Sequence, residues 1–431
     1  MPEPVNFMEM AAREKQKTSS TGRTRFQIKG GERETLIYLV GTSDTKAEEI
    51  IYLSNLLARP GVEVCSVDVG TRGLGCKMDV PPAVVAGHHP DGADAVLGSD
   101  DRGKSVAAMA GAFAAFCGTH ATQIDAIIGV GGGGGTSIIS QGMRELPYGV
   151  PKVMVSTLAS GDVSAFIDTS DIIMMPSVTD IAGLNRISRH ILHNAAQSVL
   201  GMATHPYVAQ NDMKPSVGLS MFGVTTPCVT QISASLEDQF DCVVFHATGT
   251  GGRSMEKLLG EGMLGGLIDM TTTEIADEIV GGVLSAGAAR LDAVITSGKP
   301  YVGSVGALDM VNFWAPDTAP DAFKDRLFYH HNANVTLMRT TAEECARIGT
   351  WIADKLNRAA GQVVMLLPEK GISALDIDDG PFWDPDAQAA LFGAIEQNLR
   401  ATDTHQIRRL PFHINDPAFS AAAAEAYLSI S

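Results

Sequence analysis

Short apolar runs alternate with segments of helical periodicity along most of this chain, and that alternation restricts it to parallel sheets with crossover helices. Runs at 36–40 and 62–69 flank an amphipathic stretch at 46–57, and a helix at about 105–116 precedes the run at 126–130. Another helical stretch opens near Thr136, and an apolar run at 152–155 follows it. In open parallel sheets, ligands gather beyond the carboxyl ends of the strands. The polar loops of this chain fall at those ends.

The grammar restarts after a helix at 187–202 and a polar connector around His205-Pro206 and Pro215, with strands at 217–221, 242–245 and 363–367. This predicts an α/β protein of two domains, 35–212 and 213–431, each built on a sheet. The first is expected to be a parallel sheet with helices on both faces. A length of 431 residues with 45% apolar content agrees with two cores. The polar segment 1–34 lacks the apolar centre of a secretory signal and reads as a disordered tail or an arm reaching to a partner subunit. No apolar run approaches the roughly 20 residues of a spanning helix, so a membrane is not an expected partner. Six cysteines at irregular spacing, with no Cys-x-x-Cys, indicate neither a disulfide framework nor a zinc knuckle and fit a reducing cytoplasm. A net charge of −17 excludes a general polyanion-binding surface, hence nucleic acid.

The loop Gly41-Thr42-Ser43-Asp44-Thr45-Lys46 sets hydroxyls, a carboxylate and a lysine at a strand-to-helix junction, where unpaired N–H groups and the helix dipole favour an anion. Either Lys46 pairs with phosphate there or Ser43, Asp44 or Thr45 simply caps the helix. Five consecutive glycines, Gly131, Gly132, Gly133, Gly134 and Gly135, followed by Thr136, carry an entropic cost that a plain turn does not require. A backbone passing close to a phosphate requires it, as does a tight helix–sheet contact. The run is neither a P-loop nor a clean GxGxxG opening a βαβ unit. Asp68 closes the second strand, where a carboxylate takes a ribose hydroxyl, approaches a metal, or caps a turn. Arg72 and Arg102 are phosphate-contact candidates in the long polar loops. Ser160, Gly161 and Asp162 follow the strand at 152–155 as a pocket rim, with Asp162 a candidate to hold Mg2+ through water. These loops predict a site for a phosphate or another anion in the first half.

In the second half, Cys228 opens a helix, where the dipole lowers a thiol pKa, so it is either a nucleophile or a small buried residue. His246 ends a strand beside a Gly-rich turn, followed by Arg253 and Glu256. His330, His331, Asn332, Asn334 and Arg339 form another polar cluster. If 330–331 is a strand, one of the two histidines must point away. Without a fixed ligand spacing such as HExxH, metal binding here is weakly indicated. The turn at 223–228 resembles the one at 41–46, and the Gly-rich turn at 246–253 echoes 129–136, so an internal duplication is one reading.

Several of these segments together, GTSDTK from Gly41, VDVG from Val67, GVGGGGGTS from Gly129, STLASGD from Ser156, GVTTPC from Gly223 and HATGTGGRSMEKL from His246, resemble the ATP-binding domain family named after the plant tomato mosaic virus resistance protein. The likeness runs from about Thr35 to Leu428. It implies a Rossmann-like first half that binds ATP with Mg2+ and forms a homodimer largely through that half. It also implies a separately encoded barrel-type protein as a partner. On this resemblance the nucleotide role falls on Thr42, Ser43, Asp44 and Lys46, on the stretch from Gly131 to Thr136, and on Ser160, Gly161 and Asp162. No reaction comes with it. Three functions therefore stand: a Mg-nucleotide-binding protein; a metabolic enzyme with a Cys228/His246 site for a small carboxylate or phosphate ester; and an ATP-stabilised scaffold that docks onto a protein partner.

Overall fold

The computed structural model describes residues 34–73, 75–208 and 213–431, and the chain divides into two compact units between Val208 and Ala209. The expected tail lies outside the described residues except for Glu34.

In the N-terminal unit, β1 (Thr35–Gly41), β2 (Val62–Asp68), β3 (Ala126–Gly131), β4 (Lys152–Ser156) and β5 (Ile173–Pro176) form one parallel sheet in the order β2-β1-β3-β4-β5. Its principal helices are α1 (Ser43–Leu57), α2 (Arg102–His120), α3 (Gly133–Arg144) and α4 (Arg186–Thr204). Side chains alternate across a strand. Ile37 and Leu39 therefore pack with Ile50, Leu53 and Leu192 under α1 and α4, while Tyr38 and Val40 pack with Phe113, Phe116 and Ile139 under α2 and α3. Burial on both faces is why these strands read as unbroken apolar runs. The order is that of a flavodoxin-like sheet and differs from the 3-2-1-4-5-6 order of the dinucleotide-binding Rossmann fold. It reverses between β1 and β3, so α1 and α3 leave adjacent strands toward opposite faces and their amino ends flank one crevice.

In the C-terminal unit, the six-stranded sheet runs β14-β13-β9-β8-β6-β7, from β6 (Ser216–Met221), β7 (Asp241–His246), β8 (Leu267–Thr271), β9 (Tyr301–Gly306), β13 (Val363–Pro368) and β14 (His405–Leu410). Between β9 and β13 the chain inserts an antiparallel sheet, β10-β12-β11, from β10 (Met310–Phe313), β11 (Phe328–Asn332) and β12 (Val335–Arg339). The principal helices are α5 (Thr226–Leu236), α6 (Thr250–Gly260), α7 (Thr273–Val280), α8 (Ala342–Leu356), α9 (Pro385–Asn398) and α10 (Pro417–Leu428). The strand order again reverses between the first and third strands, β6 and β8. Both units thus share a winding, but the glycine-rich turn of the first follows its third strand and that of the second follows its second strand. The two glycine loops are therefore not equivalent positions, which removes them as support for a duplication. Among the described residues, no helix is long and apolar enough to cross a membrane.

Candidate functional sites

The crevice between β1 and β3 holds a cavity of about 310 Å³. Thr42, Asp44 and Lys46 line it from the start of α1, Arg72 from the loop after β2, Arg102 from the start of α2, and Gly132 to Gly135 from the start of α3. Loops distant in sequence meet there because three helix amino ends do. Neither Thr42 nor Gly132 caps its helix with a side chain. The amides of Gly133, Gly134 and Gly135 have no hydrogen-bond acceptor among the described residues. Asp101 caps α2 through Gly103 N at 2.8 Å, yet no acidic residue occupies the first turn of that helix, and Arg102 stands there against the dipole. Arg72 and Arg102 are exposed and have no side-chain partner among the described residues. Asp44 is the single carboxylate among the described lining residues.

The glycines there are not demanded by the fold. None of Gly131 to Gly135 has a positive φ. A Cβ added at Gly132, Gly133, Gly134 or Gly135 would meet its nearest atom at 3.6 to 3.9 Å, ordinary van der Waals contact. Only at Gly131 is the approach tight, 3.0 Å from Gly135.

Several predicted site residues do other work. Ser43 and Asp68 are buried and paired: Asp68 accepts from Ser43 Oγ at 2.5 Å, Ser43 N at 3.1 Å and Gly70 N at 2.8 Å. This arrangement holds the loop after β2 against the start of α1. Gly41 ends β1 in the core, where a Cβ would lie 2.8 Å from Ile50. Thr136 shares a 2.7 Å hydrogen bond with Ser156 inside the sheet edge. Lys46 donates to Ile181 O at 2.5 Å, strapping α1 to the loop after β5, and Gly183 N reinforces this through Glu49 at 2.8 Å. Ser160, Gly161 and Asp162 are exposed and do not line the cavity. The Asp162 carboxylate accepts from Ser164 N at 2.9 Å, which holds its pKa below the usual range. The carboxylate that faces the cavity is Asp44, whose neighbours Thr45 and Thr71 also line it.

In the C-terminal unit a larger cavity, about 640 Å³, opens at the carboxyl ends of β6 and β7 and is roofed by the β11–β12 hairpin. His246 and Arg253 line it as the sequence suggested, and of the paired histidines His331 lines it and His330 does not; the neighbouring Asn332 lines it as well, where the strand register shifts between His330 and Asn332. The His246 ring stacks on Phe222, 5.4 Å between centroids. Here glycine is imposed by the chain itself: Gly249 has φ +84°, and a Cβ on Gly251 would lie 1.8 Å from His246 O.

Cys228 is fully buried, and burial pushes its thiol up to about 12, so the nucleophile reading fails. A helix amino end cannot offset that desolvation when the sulfur sits in the α5–α10 core. Glu256 does not line the cavity either. It accepts from Arg290 at 2.8 Å and from Leu291 N at 2.5 Å. Arg290 also binds Asp269 bidentately at 2.8 Å and Glu274 at 3.0 Å. Glu274 in turn accepts from Gly249 N at 2.6 Å and Gly252 N at 3.0 Å, so this buried network shapes the turn below His246. Asp277, one helical turn on, accepts from Leu284 N and Asn312 N, both at 2.8 Å, fixing two cavity walls. Arg339 is buried and donates to backbone, and Asn332 lines the cavity while Asn334 does not.

Fold and sites together define a protein of two doubly wound α/β units, each with a ligand-sized cavity beyond the carboxyl ends of its strands: between β1 and β3, where the strand order reverses, in the first, and beyond β6 and β7 in the second. The chain belongs to the Uncharacterised protein family (UPF0261): the model of that family's N-terminal domain matches residues 35–207 and that of its C-terminal domain matches 214–431. It is 58% identical to a UPF0261 protein of Mesorhizobium japonicum over 92% of this chain and 99% of that one, and 42% identical to a UPF0261 protein of Clostridium tetani over 91% and 98%. It is 39% identical to the ToMV resistance protein Tm-1 of Solanum lycopersicum, matching 92% of this chain but 56% of the tomato protein.

Proposed function

We propose that the N-terminal unit binds a nucleoside phosphate, ATP with Mg2+ in the first place, in the crevice between β1 and β3. The observation that carries this reading is the run Gly132–Gly135: no internal contact excludes side chains there, so the absence of side chains leaves the α3 amides open to a ligand's approach. Arg72 and Arg102 supply compensating cations. Asp44 takes the place assigned from sequence to Asp162 as the carboxylate to hold Mg2+ through water. A volume of about 310 Å³ is at the lower end of ligand pockets. Nucleotide-dependent assembly as a homodimer through this unit belongs to the same reading.

Isothermal titration calorimetry of the full chain with ATP, with and without Mg2+, tests it. Mg-dependent binding in the micromolar range is expected, lost in Arg102→Ala. Absence of heat in the wild type refutes the nucleotide site.

A further inference from the structure

The chain carries −17 net charge with 49 acidic residues, yet none of the described residues lining the C-terminal cavity is Asp or Glu. What lines it instead falls into two chemistries. One is apolar and aromatic: Phe222, Trp314, Val283 and Leu337. The other is polar, with the Arg253 guanidinium and the imidazoles of His246 and His331 near the amino end of α6, the His246 ring lying against Phe222. The carboxylates that shape this region, Glu274 and Asp277, are turned into the core and satisfied there by backbone amides and by Arg290 or Asn312.

An independent observation adds a third requirement. Asn312, 1% exposed, lines the same cavity. Its Nδ2 is committed to Asp277 at 3.2 Å and to Thr273 Oγ1 at 3.1 Å, which fixes the orientation of the amide. Its Oδ1 is buried and has no hydrogen-bond partner. An unmet acceptor at this depth costs about 1–3 kcal/mol, which a donor on a ligand would offset.

We propose that this cavity is a second, separate binding site, for a small organic acid that combines an anionic group, an apolar or aromatic body and a hydroxyl or amine donor. The anion lies toward Arg253 and the two histidines, the body against Phe222 and Trp314, and the donor on Asn312 Oδ1. A volume of about 640 Å³ is in the middle of the range of small-molecule sites. This site stands independently of the nucleotide reading, since it uses other residues in the other unit.

The test is a binding titration of the full chain followed by calorimetry, with Trp314 fluorescence as a second signal. The probes are phenyllactate, which carries all three features, 3-phenylpropanoate, which lacks the hydroxyl, 3-phenylpropanol, which lacks the anion, and phenyl phosphate. Phenyllactate is expected to bind at least about tenfold more tightly than either truncated probe, and Arg253→Gln to erase the advantage of the anion. Arg102→Ala is expected to leave phenyllactate binding unchanged. Tighter binding of phenyl phosphate than of phenyllactate assigns the anion as a phosphate ester; the reverse assigns it as a carboxylate. Failure of all three anionic probes to bind at millimolar concentration overturns the proposal. So does equal binding of phenylpropanol and phenyllactate, or an Arg253→Gln variant that folds and binds phenyllactate like the wild type.

Discussion

Glycines that look alike in sequence have opposite causes here. A Cβ on Gly133 would meet Leu158 at 3.6 Å, with helical backbone and nothing displaced, so Gly133→Ala is expected to keep or raise stability by about 0.5–1 kcal/mol. It should at the same time weaken nucleotide, because the new methyl enters the space over the amides. Gly251→Ala, by contrast, places its methyl 1.8 Å from a carbonyl and is expected to destabilise by several kcal/mol through backbone displacement. Thermal denaturation of the two variants, with calorimetry on the first, reads both outcomes. Arg102 makes a related case. Its charge opposes the α2 dipole, so Arg102→Ala should hold or slightly raise Tm, by up to about 1 kcal/mol in stability, while reducing ATP affinity at least about tenfold. A variant that lost stability and kept affinity would make Arg102 structural. The glycine run was legible as a site signal, but only the Cβ distances separate it from the self-imposed glycines at 249–252.

Helix α7 shows how an element can serve a site without touching its ligand. Glu274 and Asp277, one turn apart, hold separate segments of the C-terminal cavity lining through backbone amides. Burial raises the pKa of both, and the ion pair with Arg290 counteracts it at Glu274. Arg290→Met leaves Asp269, Glu256 and Glu274 buried without their shared cation. A loss of about 3–5 kcal/mol is expected in urea denaturation, with weakened phenyllactate binding as the turn at 249–252 relaxes. An Arg290→Met chain of unchanged midpoint would contradict the role assigned to the network. From sequence, Arg253 and Glu256 looked like one cluster three residues apart. Position along α6 decides otherwise: Arg253, in the first turn, lines the cavity, and Glu256, a turn further on, pairs with the buried Arg290.

Across the whole molecule, the pH dependence of stability carries the signature of buried carboxylates. Asp309 is fully buried beside Asp376, with Oδ1 unpartnered, and burial pushes its pKa up to about 7. The native state therefore keeps a proton that the unfolded chain releases near its ordinary value of about 3.9. Stability from this group is present below that value and is lost as pH rises toward 7, at up to about 1.4 kcal/mol per pH unit. Asp277, also pushed up to about 7, acts in the same window in both chains and so drops out of the difference between wild type and an Asp309→Asn variant, while Glu344 and Glu396, held below the usual range by Arg326 and Arg409, act at lower pH. Chemical denaturation between pH 4.5 and 7 should show wild type losing stability relative to Asp309→Asn; parallel profiles would show that Asp309 is ionised in the folded protein.

The sequence by itself determined the two-unit α/β plan and the edges of most N-terminal strands, because parallel strands buried on both faces must be apolar throughout and must end in polar loops. It also determined which loops are glycine-rich and where cations stand near them. Strand order, and hence the crevice between β1 and β3, was decided only in the tertiary structure, since pairing between residues as far apart as Ile37 and Ala126 leaves no local periodicity. The same holds for side chains whose role depends on what packs over them. Cys228, Glu256, Ser43 and Asp68 carry functional chemistry as residue types, and burial among non-local partners turned each of them to holding the fold.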